Sequence, residues 1–140
     1  MPMIRQNADS SLGIEGKDGG EGGFIPATLP YIATTVDCTI FTAGRPYVVK
    51  AIRGRVDVAG TGGACTATIR KVASGTAITS GTALHTDSFN LVGTVNTQQA
   101  LTLSTAASDL LLAAGDSICY DLTGTATSAV GTISVTLNPA

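Results

Sequence analysis

From Ile52 onward, apolar side chains recur at every second position, and no stretch after Phe24 sustains the 3.6-residue repeat of an amphipathic helix. A period of two is typical of β-strands with one buried and one solvated face. Short segments rich in Val, Ile, Thr and Ala alternate with glycine-containing turns, at the spacing of about 8 to 12 residues found in sandwiches. The sequence therefore predicts an all-β fold, an antiparallel β-sandwich or jelly roll of about eight strands.

Two segments show the alternation most clearly, and each is predicted to form a hairpin with one apolar and one polar face, because a single register sorts both strands. In "AIRGRVDVAGTGGACTATIRKV", with "AGTGGA" as the connection, the apolar face holds Ile52, Val56, Val58, Cys65, Ala67 and Ile69, and the polar face holds Arg53, Arg55, Asp57, Thr66, Thr68 and Arg70. In "GDSICYDLTGTATSAVGTISVTL", the core face holds Ile118, Tyr120, Leu122, Ile133, Val135 and Leu137, and the solvated face includes Ser117, Cys119 and Asp121.

The chain divides near Phe24. Residues 1–23 include "GIEGKDGGEGG", which combines glycine with charge and cannot bury enough apolar area to offset the entropy of ordering. We expect a flexible N-terminal arm anchored on a partner through Ile4, Leu12 and Ile14, followed by one β-domain over residues 24–140. The prolines agree with this division, because none is expected inside a strand; they are Pro26, Pro30, Pro46 and Pro139.

Charge balance excludes two classes of partner. Eight Lys and Arg against ten Asp and Glu give a net charge of -2, which predicts no binding to nucleic acid or to a membrane surface. The absence of tryptophan also removes the stacking platforms that single-stranded nucleic acid needs. Three widely spaced cysteines do not suggest a disulfide framework, and no signal peptide is recognisable, so we expect a protein made in a reducing cytoplasm.

Catalytic and metal-binding patterns are weak. The single histidine, His85, sits in "LHTDS", which matches no hydrolase signature, and we interpret it as a surface or strand-edge imidazole. A zinc site built from Cys38, Cys65, Cys119 and His85 is conceivable, but it lacks the close spacing that marks such sites. We therefore predict no catalytic residues, no metal and no cofactor, and a protein that is not an enzyme.

The β-domain has one charged candidate binding surface, formed by Arg53, Arg55 and Arg70. The predicted register places Arg53 nearly opposite Arg70, and three like charges on one face repel unless something acidic meets them. One interpretation is a solvated face with Asp57 as a local partner, because exposed charges usually contribute little. The other is a docking surface for an acidic protein.

Two longer segments give the chain a resemblance to a known family. "GTGGACTATIRKVASGTAITSGTAL" and "LSTAASDLLLAAGDSICYDLTGTATSAVGTISVTL" combine a Thr-rich strand pair, an "SGTA" link and a Leu-rich strand that ends in "AAGD". This layout resembles the small head decoration, or cement, proteins of tailed bacteriophages, over most of residues 45–137.

The resemblance implies a jelly-roll virion protein on the capsid exterior that bridges subunits of the major capsid protein. Because subunits meet at symmetry axes, such a protein is expected to be a homodimer or homotrimer. The predicted contacts are Ile4, Leu12, Ile14, Arg53, Arg55 and Arg70, together with an open sheet edge. The alternative function is a tail or baseplate accessory, or a receptor-binding jelly roll.

Overall fold

The computed structural model describes the backbone of residues 25–31 and the structure of residues 37–140, except for the side chain of residue 126. The predicted N-terminal arm lies outside these described residues, and with it Ile4, Leu12 and Ile14. One 3-10 turn, Ile78–Ser80, interrupts the strands. No helix in the described part of the chain is long and apolar enough to cross a membrane.

Ten β-strands make up the described fold. In chain order they are β1 (Ile25–Tyr31), β2 (Cys38–Thr42), β3 (Tyr47–Val58), β4 (Thr61–Val72), β5 (Thr82–Ala83), β6 (Phe89–Asn90), β7 (Gln98–Ala100), β8 (Leu111–Leu112), β9 (Ser117–Thr127) and β10 (Val130–Pro139).

The strands form two antiparallel sheets of five. Sheet I has the order β2-β9-β4-β5, with β6 also pairing with β4. Sheet II has the order β1-β10-β3-β7, with β8 also pairing with β3. The predicted antiparallel β-sandwich is confirmed. It has ten described strands where about eight were predicted, and four of the ten, β5 to β8, are only two or three residues long.

Both predicted hairpins are wrong in their pairing. β3 pairs with β10 and β4 pairs with β9, so β3 and β4 belong to opposite sheets, and so do β9 and β10. The links at residues 59–60 and 128–129 cross from one sheet to the other. Two strands whose inner faces meet across a core have the same alternation as two strands that pair side by side, so the pattern does not distinguish these arrangements.

The faces of the strands were predicted largely correctly. Most of the predicted core side chains are buried between the sheets, together with Phe89, Leu84 and Leu112, which come from short strands or loops. Val58 is an exception and is 49% exposed. Cys119 and Asp121 are also exceptions, since both are buried although they point away from the core.

One side of the sandwich, which we call the closed side, consists of residues 82–90 and 98–104. Here a series of backbone hydrogen bonds among the described residues joins the two sheets. The bonds, each 2.9 Å, run from Leu101 N–H to Ile52 O, from Thr86 N–H to Thr102 O, from Ser104 N–H to Leu84 O, and from Leu84 N–H to Ile69 O.

The opposite side, which we call the open side, consists of the edge strands β1 and β2. Each pairs on one side only within the described structure. Immediately before β2 begins, the Asp37 carboxylate accepts a 2.9 Å hydrogen bond from Leu122 N–H of β9. Contrary to expectation, Pro26 and Pro30 lie inside a strand; β1 tolerates them because it is an edge strand and need not donate on both sides.

Candidate functional site

Arg53 and Arg55 lie on β3, in the middle of sheet II, and both are exposed on its outer face. Gly54 between them faces inward, where an added Cβ would lie 2.3 Å from the ring of Phe89. The absence of a side chain at Gly54 lets that ring pack directly onto the backbone of β3. The two arginines are therefore presented by a strand whose inner face is tightly packed.

Arg55 is held by two polar neighbours. Its Nε donates to the Asp57 carboxylate at 2.8 Å, and its Nη2 donates to the Asn96 side-chain oxygen at 3.0 Å. Both side chains of the ion pair are about half exposed, so the pair adds little stability. Its effect is to orient the guanidinium. None of the described acidic side chains forms an ion pair with Arg53.

A shallow depression of about 390 Å³ opens beside these arginines on the outer face of sheet II. Guanidinium, amide and hydroxyl groups line it, and its lining contains no carboxylate, imidazole or thiol. Such a surface can donate several hydrogen bonds to a carboxylate. The lining residues are Arg53, Gly54, Arg55, Gln98, Thr132 and Ser134.

Lys50 is a third cation on this face, and it was missed at the sequence level. The pairing of β10 with β3 jumps from Thr136↔Ala51 to Leu137↔Val49, so Lys50 is the extra residue of a β-bulge. It is exposed. The signal was available in "VVKAIRGR", where two residues in place of one separate the core positions Val49 and Ile52. We call Lys50, Arg53 and Arg55 the basic strip.

Arg70 does not belong to this surface, which corrects the predicted cluster of three arginines. It lies on the outer face of sheet I, because β3 and β4 are in opposite sheets. Its Nε donates to the Asp121 carboxylate at 2.5 Å and its Nη1 donates to Gly81 O at 2.9 Å. Asp121 is buried, so the pair satisfies a buried charge and fastens the segment before β5 to sheet I.

Other depressions among the described residues differ in chemistry. One is lined by residues of β2, β9 and the loop after β4, and another by residues between β6 and β7. Neither is lined by a charged side chain. The basic strip is therefore the stronger candidate for recognition of a charged partner.

His85 is buried, which corrects its interpretation as a surface residue, although it does lie at a strand edge. Its Nε2 accepts a 2.8 Å hydrogen bond from Ile69 N–H, and Nδ1–H donates to Asp87 O at 2.6 Å. Burial lowers the pKa of His85 below its ordinary 6.5, against an opposing contribution from Asp87. Both ring nitrogens are thus used in holding the closed side together.

Asp87 supports the same closure. Its carboxylate accepts from Thr102 N–H at 3.0 and 3.1 Å. Burial acts to raise the pKa of Asp87, but these hydrogen bonds outweigh it, so the pKa lies below its ordinary value. His85 and Asp87 together connect β4 with the segment that follows β7.

The cysteines do not form a site with His85. All three are free thiols, and burial raises the pKa of Cys38 and Cys65, which disfavours the reactive thiolate. Within the described residues, no group of three or more His, Cys, Asp or Glu side chains could hold a metal ion. The conceivable zinc set is therefore not assembled.

Comparisons with known proteins return distant structures only. No family model matches the chain, and no curated protein matches it. A solved structure described as "Bacillus endospore appendages form a novel family of disulfide-linked pili" is 14% identical, with a TM-score of 0.42, over 95% of this chain and 98% of that one. A chain of infectious bursal disease virus, Gx strain, is 16% identical, with a TM-score of 0.37, over 97% of this chain and 36% of that one. Both similarities are too distant to indicate a function.

Proposed function

We propose that this chain is a structural virion protein that binds the outer surface of an assembled tailed-phage capsid and bridges subunits of the major capsid protein. The observation that carries the proposal is the basic strip, with Arg53 and Arg55 exposed beside a shallow depression on a tightly packed sheet. The sequence resemblance to head decoration proteins supplies the class of partner.

The strip suits an acidic protein surface. Arg55 is already oriented by Asp57 and Asn96, so less side-chain entropy is lost when its guanidinium meets an acidic surface. Exposed charge pairs are individually weak and sensitive to salt. Recognition through the strip therefore sets specificity and association rate more than affinity.

Repetition around the shell supplies the strength that one contact lacks. A protein that binds only the assembled lattice stabilises it by mass action, by about 2.7 kcal/mol per site at 100 times the dissociation constant. A homodimer or homotrimer on a capsid symmetry axis would multiply the contacts that each copy makes.

Charge reversal tests the proposal. Arg53→Glu and Arg55→Glu should each lower occupancy of purified phage heads, measured by co-sedimentation, by about tenfold at low salt, because attraction to carboxylates becomes repulsion. Arg45→Glu is the matched control: Arg45 is exposed in the turn between β2 and β3, away from the strip. It makes the same change in net charge.

The outcomes separate the alternatives. Unchanged occupancy for all three variants, with circular dichroism showing intact β-structure, contradicts the proposal. Equal losses for all three indicate an effect of net charge alone. Adsorption of the purified protein to host cells, with no binding to heads, favours the receptor-binding alternative.

A further inference from the structure

Two side chains on the outer face of sheet I are buried although they point away from the core. Val72 of β4 is 4% exposed and Cys119 of β9 is 2% exposed. The outer face of an antiparallel sheet in a sandwich ordinarily meets water, so another part of the chain covers this position. The covering segment is residues 73–81, which connect β4 to β5 and which we call the lid.

The lid folds back over the sheet that it leaves. Its 3-10 turn, Ile78–Ser80, lies against both β9 and β4. A depression of about 300 Å³ lies between the lid and the sheet, and its lining includes Ile78 from the lid and Thr39 and Cys119 from the sheet. Thr39 Oγ1 and the Cys119 sulfur are within hydrogen-bonding distance at 3.5 Å. The lid therefore shields the Cys119 thiol from solvent.

The lid has few contacts that hold it down. Within the described structure, the backbone hydrogen bonds of its residues, each 3.0 Å, run from one lid residue to another. Residues 73–80 are exposed except for Ile78, which is partly buried. A segment with internal hydrogen bonds and little buried apolar area belongs to the part of a protein that opens at a low free energy.

One contact fastens the lid where it meets β5. Arg70 Nη1 donates to Gly81 O at 2.9 Å, and the Asp121 carboxylate holds the guanidinium in place. Gly81 also fits closely against β4, because an added Cβ would lie 2.6 Å from a Val72 methyl carbon and 2.7 Å from Lys71 O. Position 81 thus accepts no side chain while the lid is closed. We call Arg70 and Gly81 the latch.

We propose that the lid opens as a unit while β4 and β9 stay paired, and that this opening controls access to the Cys119 thiol. The ladder between β4 and β9 extends from Ser117 to Thr127, so release of the lid leaves the sheet intact. Release requires loss of the latch and withdrawal of the 3-10 turn. The thiol then meets soft electrophiles in the open state only. The lid acts independently of the proposed binding to phage heads.

Alkylation of the full chain with iodoacetamide, followed by mass spectrometry, tests the lid. Cys65 is the internal control, because it is 1% exposed within the core between the sheets and is reached when the sandwich unfolds. Each labelling rate is divided by the rate of the same thiol in the urea-unfolded chain. We expect the corrected rate at Cys119 to exceed that at Cys65 by about 100-fold or more, because a local opening requires less free energy than global unfolding.

Low concentrations of urea separate the two routes of exposure. Local opening exposes little surface, so the Cys119 rate should stay nearly constant at urea concentrations below the unfolding transition. The Cys65 rate should increase steeply over the same range. Equal corrected rates with the same urea dependence would show that Cys119 is reached only by global unfolding, and would overturn the proposal.

Substitutions at the latch should speed the labelling of Cys119. Gly81→Ala places a methyl group against β4 and should raise the Cys119 rate by about tenfold or more. Gly44→Ala is the matched control, because an added Cβ at Gly44 meets nothing within 4 Å. Arg70→Lys keeps a cation beside Asp121 but loses the guanidinium fork, so it should raise the rate by about 3- to 10-fold. Latch variants with an unchanged Cys119 rate would contradict the proposal.

A further control concerns the edge strand β2, which lies on the other side of Cys119. Asp37→Ala removes the side-chain acceptor next to β2 and should leave the Cys119 rate unchanged. A larger increase in Asp37→Ala than in Gly81→Ala would assign the exposure to fraying of β2 and contradict the proposal. Latch variants that raise the Cys65 rate as much as the Cys119 rate would show a global loss of stability and contradict it as well.

Discussion

The two sides of the sandwich differ in how the edges of the two sheets are hydrogen-bonded. On the closed side, backbone hydrogen bonds continue from Ile52 of sheet II to Ile69 of sheet I. On the open side, β1 and β2 end their sheets without a ladder between them in the described structure. On the closed side, backbone hydrogen bonds connect the two sheets, whereas the open side presents strand edges.

On each side, nevertheless, one side chain accepts a hydrogen bond from a backbone N–H that a neighbouring strand would otherwise accept. His85 Nε2 accepts from Ile69 N–H in a buried setting, and the Asp37 carboxylate accepts from Leu122 N–H in an exposed one. A buried N–H without a partner lowers the stability of the fold, whereas an exposed one can donate to water. The comparison therefore indicates that the closed side carries more of the stability.

The largest expected difference comes from deleting one aromatic ring on each side. Phe89 is fully buried and packs on Gly54, so Phe89→Ala should lower the free energy of unfolding by about 3 to 5 kcal/mol. Phe41 of β2 is partly buried and meets Tyr47 edge to face at 5.5 Å, so Phe41→Ala should cost about 1 to 2 kcal/mol. Urea denaturation measures both, and equal losses would contradict the comparison.

The next largest difference comes from removing the two acceptors. His85→Leu leaves Ile69 N–H buried without a partner and should cost about 1 to 3 kcal/mol. Asp37→Ala should cost about 0.5 to 1 kcal/mol, because water can replace the carboxylate. Asp37→Asn keeps an acceptor oxygen and serves as the control. Hydrogen exchange should likewise be slower at Ile69 than at Leu122; the reverse order would show that the open side is the more stable.

The smallest effect is a pH dependence confined to the closed side. Burial lowers the pKa of His85 in the folded state below 6.5, so the unfolded chain binds the proton more readily. The stabilising contribution of neutral His85 is complete above about pH 7.5 and decreases as the pH falls through 6.5, with a slope of at most about 1.4 kcal/mol per pH unit.

His85 is the only histidine, so this slope has one source. In His85→Leu the stability should be flat between about pH 7.5 and 5.5. The lowered pKa of Asp87 acts in a separate window, at pH values near and below 3.8, where its carboxylate becomes protonated. A parent chain whose stability is flat through pH 6.5 would show that His85 is not held neutral.

Local physics in the sequence predicted which side chains are buried but not which strands pair. Ile52, Ile69 and Ile133 are in the core as expected, because alternation reports the face that meets other apolar groups. Pairing depends on where each link sends the chain. Neither of the two-residue links, 59–60 and 128–129, contains the Asn-Gly or Asp-Gly signal of a tight hairpin. That absence argued against the two predicted hairpins.

The candidate site shows the same limit. Arg53 and Arg55 were found because they are adjacent positions on one face of one strand. Arg70 was grouped with them through a pairing between β3 and β4 that does not form, and Lys50 was missed because a β-bulge breaks the alternation. The burial of His85 was not predictable, since its partner Ile69 N–H is 16 residues away.

The crossing links also have a consequence for synthesis on the ribosome. β10 begins 72 residues after β3 ends (130 - 58), so β3 emerges long before its central partner exists. Topologies dominated by such distant pairings fold slowly, over milliseconds to seconds. The nascent chain therefore holds β3 without its central partner until β10 has been translated, and removal of the whole of β10 should leave sheet II unable to assemble.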